Sequence, residues 1–526
     1  MTLEEFLHDL HYDIDKVRPP DVEPDWDDAP LAYKLYRGQP SFPLSLDVPL
    51  SLEGERPPAE PKLREFGHFL WYVYGITQVS QSLVSLGEVA RYAHWMHTYR
   101  RFVPSGGGLY PSELYVYLKL EDLPNGVYHY DVIHHRLVLL REGNYDAYLG
   151  RALGNRCDVS SCFATVFVST MFWKNFFKYD NFSYRLQGLD AGALIGQLLE
   201  VGKRFGYTSG VYFQFLDRAV NHLLGLVAQE ESVYAVIPLS TEPTSRWFGM
   251  DNESSPVTAS KLCLELPDIH PEHYVRSRRI RNYPAIIRVN ESAFMESTES
   301  FRTMEETVEE GAPCIGQVVA IPPVNRLSFG LASACRTRYS PGMDFQLKKV
   351  SDMQLASLLS EAIASFQYHN DLDKGKSVQP RVSLYGCFVG VEGIPDGAYH
   401  YESDAHALRL LRAGDHRGRL QQGMTMHNVN LHQVPLCLHV AGHRHHLIHT
   451  LGSRGYRIQQ MEVGMLVQRL LLTASALGMG GHPLLGYETD ICDELYQFAS
   501  NGLTCLIQIP VGPYRTGSRL EGRLHS

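Results

Sequence analysis

The 526 residues, 44% hydrophobic and 20% charged, describe an ordinary globular chain with room for two or three domains, each with its own core. A formal net charge of −10 argues against non-specific nucleic-acid binding, which needs basic surface to displace counterions. No apolar run nears the ~18 residues of a membrane span, and Met1-Thr2-Leu3-Glu4-Glu5-Phe6 lacks the basic-then-apolar pattern of a secretory signal, so a cytoplasmic location is expected.

In chain order, residues 1–60 are rich in proline and acid; Arg18-Pro19-Pro20-Asp21-Val22-Glu23-Pro24-Asp25 cannot hold a helix and reads as an N-terminal arm that wraps the body or docks a partner. A first folded unit spans residues 61–240. Within it, Leu114–Leu120 is strand-like, Pro124-Asn125-Gly126 is a turn, and Val127–Tyr130 is the next strand. Leu186, Leu189, Ala193, Leu194 and Leu198 then repeat at helical spacing, and Val233–Leu239 closes the unit as a strand. Residues 241–330 form a connector whose apolar clusters, such as Tyr283-Pro284-Ala285-Ile286-Ile287, predict that it packs on the body. Residues 331–513 form a second unit with a central helix through Met461, Met465, Leu466, Leu470 and Ala474 and a last strand at Leu503–Pro510, leaving 514–526 as a tail. The order of helices and strands is an α+β pattern rather than a βαβ series.

The two units are copies. Leu123–Arg141 laid on Ile394–Arg412 matches at ten of nineteen positions with an offset of 271 residues, where chance gives about one match. At an offset of 272, Tyr184-Arg185 falls on Tyr456-Arg457, Gly192 on Gly464 and Gly206 on Gly478. The copies differ where chemistry is carried. Pro104-Ser105-Gly106-Gly107-Gly108 stands ahead of the first matched stretch, and Ser377-Val378-Gln379-Pro380 in the corresponding place of the second.

Three glycines in a row let backbone approach a flat ligand closely, although the same composition also suits a surface loop. No Gly-Lys-Ser/Thr follows, so this is not a P-loop. Lys178-Tyr179 precedes the first central helix; such a pair is ordinarily surface, but here it can edge a buried cleft, and the second copy has no counterpart to it. In the second unit Arg336-Thr337-Arg338 can hold a phosphate near a helix start, with Gly480-Gly481 after the central helix as a second candidate grip; a solvated basic turn and a helix cap are the plainer alternatives. The run His439–His449 lacks the glutamate of a zinc-protease motif, and no metal site is expected. The nine cysteines are scattered without a C-x-x-C and are expected to be buried thiols.

Four stretches, Pro104–Pro111, Gly126–Tyr130, Lys178-Tyr179 with Tyr184-Arg185, and Asp190–Gly192, resemble in order and spacing the nitroreductase-like flavoproteins, and among them the SagB/ThcOx-type azoline dehydrogenases. The resemblance covers roughly residues 65–240 and 330–513. It implies an α+β fold of two nitroreductase-like units in an internal pseudo-dimer, with an antiparallel-rich sheet packed by helices. It implies bound FMN, with Arg336, Thr337, Arg338, Gly480 and Gly481 on the phosphate and Pro104, Ser105, Gly106 and Gly107 facing the ring. No Arg-Ser turn occurs near residues 45–60 and no Pro-Ser-Gly loop near Ser377, so one FMN per chain is expected. The arginine turn is shorter than the family's usual pattern.

The implied reaction is oxidation of peptide thiazolines or oxazolines to the aromatic azoles in maturation of a ribosomally made peptide such as a bacteriocin, with oxygen as final acceptor. Tyr179 is the candidate base and Lys178 its electrostatic support, the two roles being exchangeable. The implied partners are an azoline-containing precursor peptide and a YcaO-type cyclodehydratase, with further homo-oligomerisation open and neither nucleic acid nor membrane involved. Two other readings remain at this point: a general FMN nitro- or quinone reductase, and a non-catalytic scaffold of a biosynthetic complex.

Overall fold

The computed structural model describes residues 1–19, 23–53, 60–84, 94–242, 247–248, 255–304, 316–373, 381–516 and 521–523. They form two compact units: Asp21–Phe301 with Gly517–Ser526, called here the N-copy unit, and Met1–Pro20 with Arg302–Thr516, the C-copy unit. The stretch expected as an arm is thus divided between the units, and residues 255–301 of the connector belong to the N-copy unit.

In the N-copy unit the strands are β1 (Ser41–Pro43), β2 (Ile76–Val84), β3 (His94–Arg101), β4 (Ser112–Leu118), β5 (Gly126–Asp131), β6 (Arg136–Glu142), β7 (Ala164–Met171), β8 (Thr208–Ser209) and β9 (Glu231–Ser240). Seven of them make one antiparallel sheet in the order β1-β6-β5-β4-β7-β9-β8. The C-copy unit carries β10 (Gln317–Ala320), β11 (Val382–Phe388), β12 (Gly397–Glu402), β13 (Ala407–Ala413), β14 (Leu436–His443), β15 (Gly480–Gly481) and β16 (Leu503–Gly512). Their order, β10-β13-β12-β11-β14-β16-β15, is the same topology element for element. A last strand, β17 (Glu521–Arg523), pairs with β2 beside β3 in a three-stranded sheet of the N-copy unit.

The register repeats as well as the order. The β5–β6 ladder shifts between Val127 and Tyr128, and β12–β13 shifts at the equivalent Ala398 and Tyr399. The β7–β9 and β14–β16 ladders shift at Val168/Ser169 and Val440/Ala441. Bulges at matched positions are inherited features, since each fixes the local twist of its sheet.

The matched Tyr-His-Tyr stretch owes its sequence to these hairpins. Tyr128 Oη donates to the Pro124 carbonyl at 2.5 Å and Tyr399 Oη to that of Pro395 at 2.6 Å, each tying a strand to its own turn. Tyr130 and Tyr401 hydroxyls each meet Nδ1 of a histidine five residues on, at 2.8 Å in both copies. Those histidines, His135 and His406, both sit at φ +45°, a left-handed position that few bulky residues occupy.

Behind each sheet lies a long helix, Ser183–Arg204 and Ser453–Ala476, and every apolar position predicted for them is buried. Among the described residues no helix is long and apolar enough to cross a membrane.

Candidate functional site

In the N-copy unit β3 delivers the chain into the glycine loop, with Phe102 and Val103 buried beneath it. The loop is fastened to the central helix by one carboxylate. Ser105 Oγ donates to Asp190 Oδ2 at 2.6 Å and the Gly106 N–H to Oδ1 at 3.1 Å, while the Tyr110 N–H donates to Ser105 Oγ at 2.8 Å. Burial raises the Asp190 carboxyl pKa, the Ser105 and Gly106 hydrogen bonds offset this in part, and the result is about 7.

Gly107 lies exposed at the apex at φ +65°, which alone favours glycine. Space demands it too: a methyl group there would stand 2.5 Å from Tyr179 Oη and 2.9 Å from Lys178 Nζ. Both predicted residues therefore reach the predicted loop. A methyl group on Gly106 would press on Leu186 Cδ2 at 2.8 Å, so the central helix supports the loop from below.

Lys178 and Tyr179 end the short helix Trp173–Tyr179. The Lys178 ammonium stands 5.0 Å from the Tyr179 ring centre and 5.5 Å from that of Trp26. The next residue, Asp180, turns the chain at φ +48°, ψ −140°, and its carboxylate takes a hydrogen bond from Arg281 at 2.5 Å.

Beneath the loop is a layer of buried charge. Arg101 lies over the rings of Tyr74 and Tyr110, 3.8 and 4.6 Å from their centres. Glu113 is fully buried between Lys174 and His129; burial would raise its pKa, but the Lys174 ammonium and His129 outweigh that and hold it well below the carboxylate range. Glu231 pairs with Lys34 at 2.7 Å and accepts from Ser169 at 2.5 Å. Ion pairs buried this completely are costly to break, because either partner alone would be an uncompensated charge. A cavity of about 90 Å³ nearby is lined by Lys34, Trp173, Lys174, His273 and Tyr283 among others, but by none of the residues predicted for a site.

In the C-copy unit Arg336 and Thr337 close the helix Leu331–Thr337, and Arg338 caps it. These arginines stand at a helix end, not the expected helix start, so the helix dipole gives an anion no help there and the guanidinium charge would have to hold it. Thr337 Oγ1 is already engaged with the Ser333 carbonyl and Ser475 Oγ, both at 2.9 Å. Gly480 and Gly481 lie alongside: the Gly481 N–H donates to the Tyr339 carbonyl at 3.2 Å, and a methyl on Gly480 would stand 2.4 Å from Pro341. The five residues predicted for a phosphate thus fall on two adjacent segments. Ser377–Pro380, the counterpart of the glycine loop, lies outside the described residues.

The histidine run splits between β14, the turn after it and the short helix Ile448–Leu451, which holds His449. His439 is buried, hydrogen-bonded to Gln508 Oε1 at 3.0 Å and Tyr496 Oη at 2.7 Å. Among the described residues no group of three or more His, Cys, Asp or Glu side chains could hold a metal ion.

The sequence assigns no role to two residues that hold the site together. Asp190 was visible only as part of a motif, and its loop partners are 84 and 85 residues away. Arg281 sits in the connector. Its signal was the pairing of Asp180 with Gly452 across the copies, which marks a backbone that needs glycine or a brace.

No family model matches the sequence, and no curated protein matches it. A protein of Anabaena variabilis described as a nitroreductase superposes with a TM-score of 0.73 at 20% identity, over 98% of this chain and 100% of that one. A nitroreductase-described protein of Ralstonia eutropha gives 0.31 at 18% identity, over 41% and 95%. The E. coli microcin synthetase McbBCD complex with truncated pro-MccB17 bound gives 0.28 at 22% identity, over 38% and 70%. The last two overlap too little to weigh. The first takes in both copies, and the chain has the nitroreductase fold: α+β, present twice, each copy built on an antiparallel seven-stranded sheet.

Proposed function

We propose that the protein is an FMN-dependent azoline dehydrogenase, oxidising thiazoline or oxazoline rings of a ribosomally made peptide to thiazoles or oxazoles. What supports this most is the convergence of Lys178 Nζ and Tyr179 Oη on Gly107, at a loop pinned by Asp190, in the copy that alone carries the Lys-Tyr pair.

The donor sets fit the cofactor. Arg336 and Arg338 bring two guanidinium groups, the natural partners of a phosphate, and the segment just after them packs on Gly480 and Gly481, while the Thr337 hydroxyl is spent on Ser333 and Ser475. The backbone of half-buried Gly106 and exposed Gly107, with Pro104 and Ser105 before it, offers a flat ring a face without side chains at the two glycines. Bound FMN would accept the two electrons removed from the azoline, and oxygen would take them on. One FMN per chain follows, because each of these sets occurs in one copy only.

Aromatising the ring removes two electrons and two protons from adjacent carbons. Tyr179 Oη takes the acidic proton beside the carbonyl, and the Lys178 ammonium steadies the phenolate that this requires. The roles can be shared, since a lysine in a cleft also serves as a base. A YcaO-type cyclodehydratase would supply the azoline peptide.

The test is mass spectrometry of a synthetic peptide with one preformed thiazoline, incubated with the FMN-loaded protein in air. The expected product has lost two hydrogen atoms, and Lys178→Ala and Tyr179→Phe should each slow its formation by about 10²–10⁴-fold with FMN content unchanged. The Anabaena match favours a second reading, a nitro- or quinone reductase. Turnover driven by NAD(P)H and indifferent to both substitutions would establish that alternative instead.

A further inference from the structure

We propose that Arg281, in the segment between the two copies, is a positioning residue that sets Lys178 and Tyr179 against the glycine loop through Asp180. The inference rests on the proposed role of that pair.

One guanidinium makes three bonds at the end of the short helix. Nη1 donates to Asp180 Oδ1 at 2.5 Å, and Nη2 to the carbonyls of Phe177 at 3.0 Å and Phe176 at 3.4 Å. A cation at a helix C-terminus is favoured by the dipole and by the carbonyls left open there, and its bond to a carboxylate is of the strong, charge-assisted kind. Arg281 also stands 5.2 Å from the Phe176 ring centre. Trp26 also meets Phe177 edge-on at 5.2 Å, a second contact on the same helix end.

The duplication indicates what the clamp is for. Asp180 adopts φ +48°, ψ −140°, and its counterpart Gly452 adopts φ +56°, ψ −146°. The backbone is the same, but glycine suits it and aspartate does not, because a side chain in such a conformation is strained. The C-copy keeps the glycine, and in place of Lys178-Tyr179 it has Thr450-Leu451. The copy that carries the pair instead carries a strained residue whose carboxylate is the handle for Arg281. A glycine there would relieve the strain but leave Arg281 no carboxylate to hold.

The experiment uses the full chain and needs no substrate. Reductive methylation of Lys178, followed by peptide mass spectrometry and referenced to exposed Lys62, reads how firmly the ammonium is held. Asp180→Gly restores the residue that the other copy uses while cutting the tether. Its Tm should fall by no more than about 2 °C, whereas Lys178 labelling should rise about fivefold or more as the helix end opens locally. Arg281→Ala should raise labelling as much, the double variant no further, and Arg281→Lys, which lacks the fork, should rescue only in part. On the azoline peptide, kcat should drop about 10²-fold in Asp180→Gly with KM little changed, as expected for misplacement near an ångström. Lys178 labelling within twofold of the parent in both single variants would overturn the proposal. So would a rise shared by all lysines with a collapsed Tm, which would make Arg281 a structural clamp. If labelling behaves as expected but Lys178→Ala and Tyr179→Phe still oxidise the peptide, the positioning stands and the catalytic assignment falls.

Discussion

Asp190 shows how much one side chain can organise: its two oxygens fix the Ser105 hydroxyl and the Gly106 N–H, and with them the loop at which Lys178 and Tyr179 arrive. Its pKa of about 7 lies above the ~3.9 of an unfolded aspartate, so the folded state binds the proton more tightly. Stability from this group is therefore complete below about pH 4 and is lost as pH rises through 7. Chemical unfolding of parent and Asp190→Asn at pH 5 and pH 8 isolates the effect. On going from pH 8 to pH 5 the parent should gain about 1–3 kcal/mol relative to the variant, whose amide does not titrate. A gain by the variant instead would mean that the carboxylate, not the acid, is the form the fold prefers.

Elements were legible where their cause is local. The copies could be aligned because Tyr128 and Tyr399 bond to carbonyls four residues back, and Tyr130 and Tyr401 to histidines five residues on. Such contacts leave a fixed spacing in the chain. The central helices showed through their apolar periodicity for the same reason. What could not be read was set by distance: Arg281 meets Asp180 across 101 residues. The seven-residue helix Leu331–Thr337 is too short to leave a periodic trace, so the sequence alone does not show that the arginine turn ends a helix. Gly452, by contrast, gives a clean local test, since nothing lies within 4 Å of a methyl group added there. Gly452→Ala should destabilise the C-copy unit by roughly 1–3 kcal/mol from backbone strain alone, read by urea unfolding. A neutral outcome would show that this turn relaxes, and the strain assigned to Asp180 would then have to be lowered.

The whole chain is a duplication in which topology, bulges and hairpin corners were kept while the polar equipment diverged. One copy has Ser105-Gly106-Gly107, Lys178 and Tyr179; the other has Arg336, Arg338, Gly480 and Gly481. A twofold-repeated fold with unrepeated chemistry is the reason to expect a single cofactor where two equal copies would bind two. The direct measurement is the visible spectrum of the purified full chain after saturation with FMN and removal of the excess, with released flavin counted after denaturation. One equivalent per chain, with a flavin spectrum shifted from that of free FMN, is the predicted result. Two equivalents would contradict the division of labour between the copies, and none would contradict the flavin reading itself.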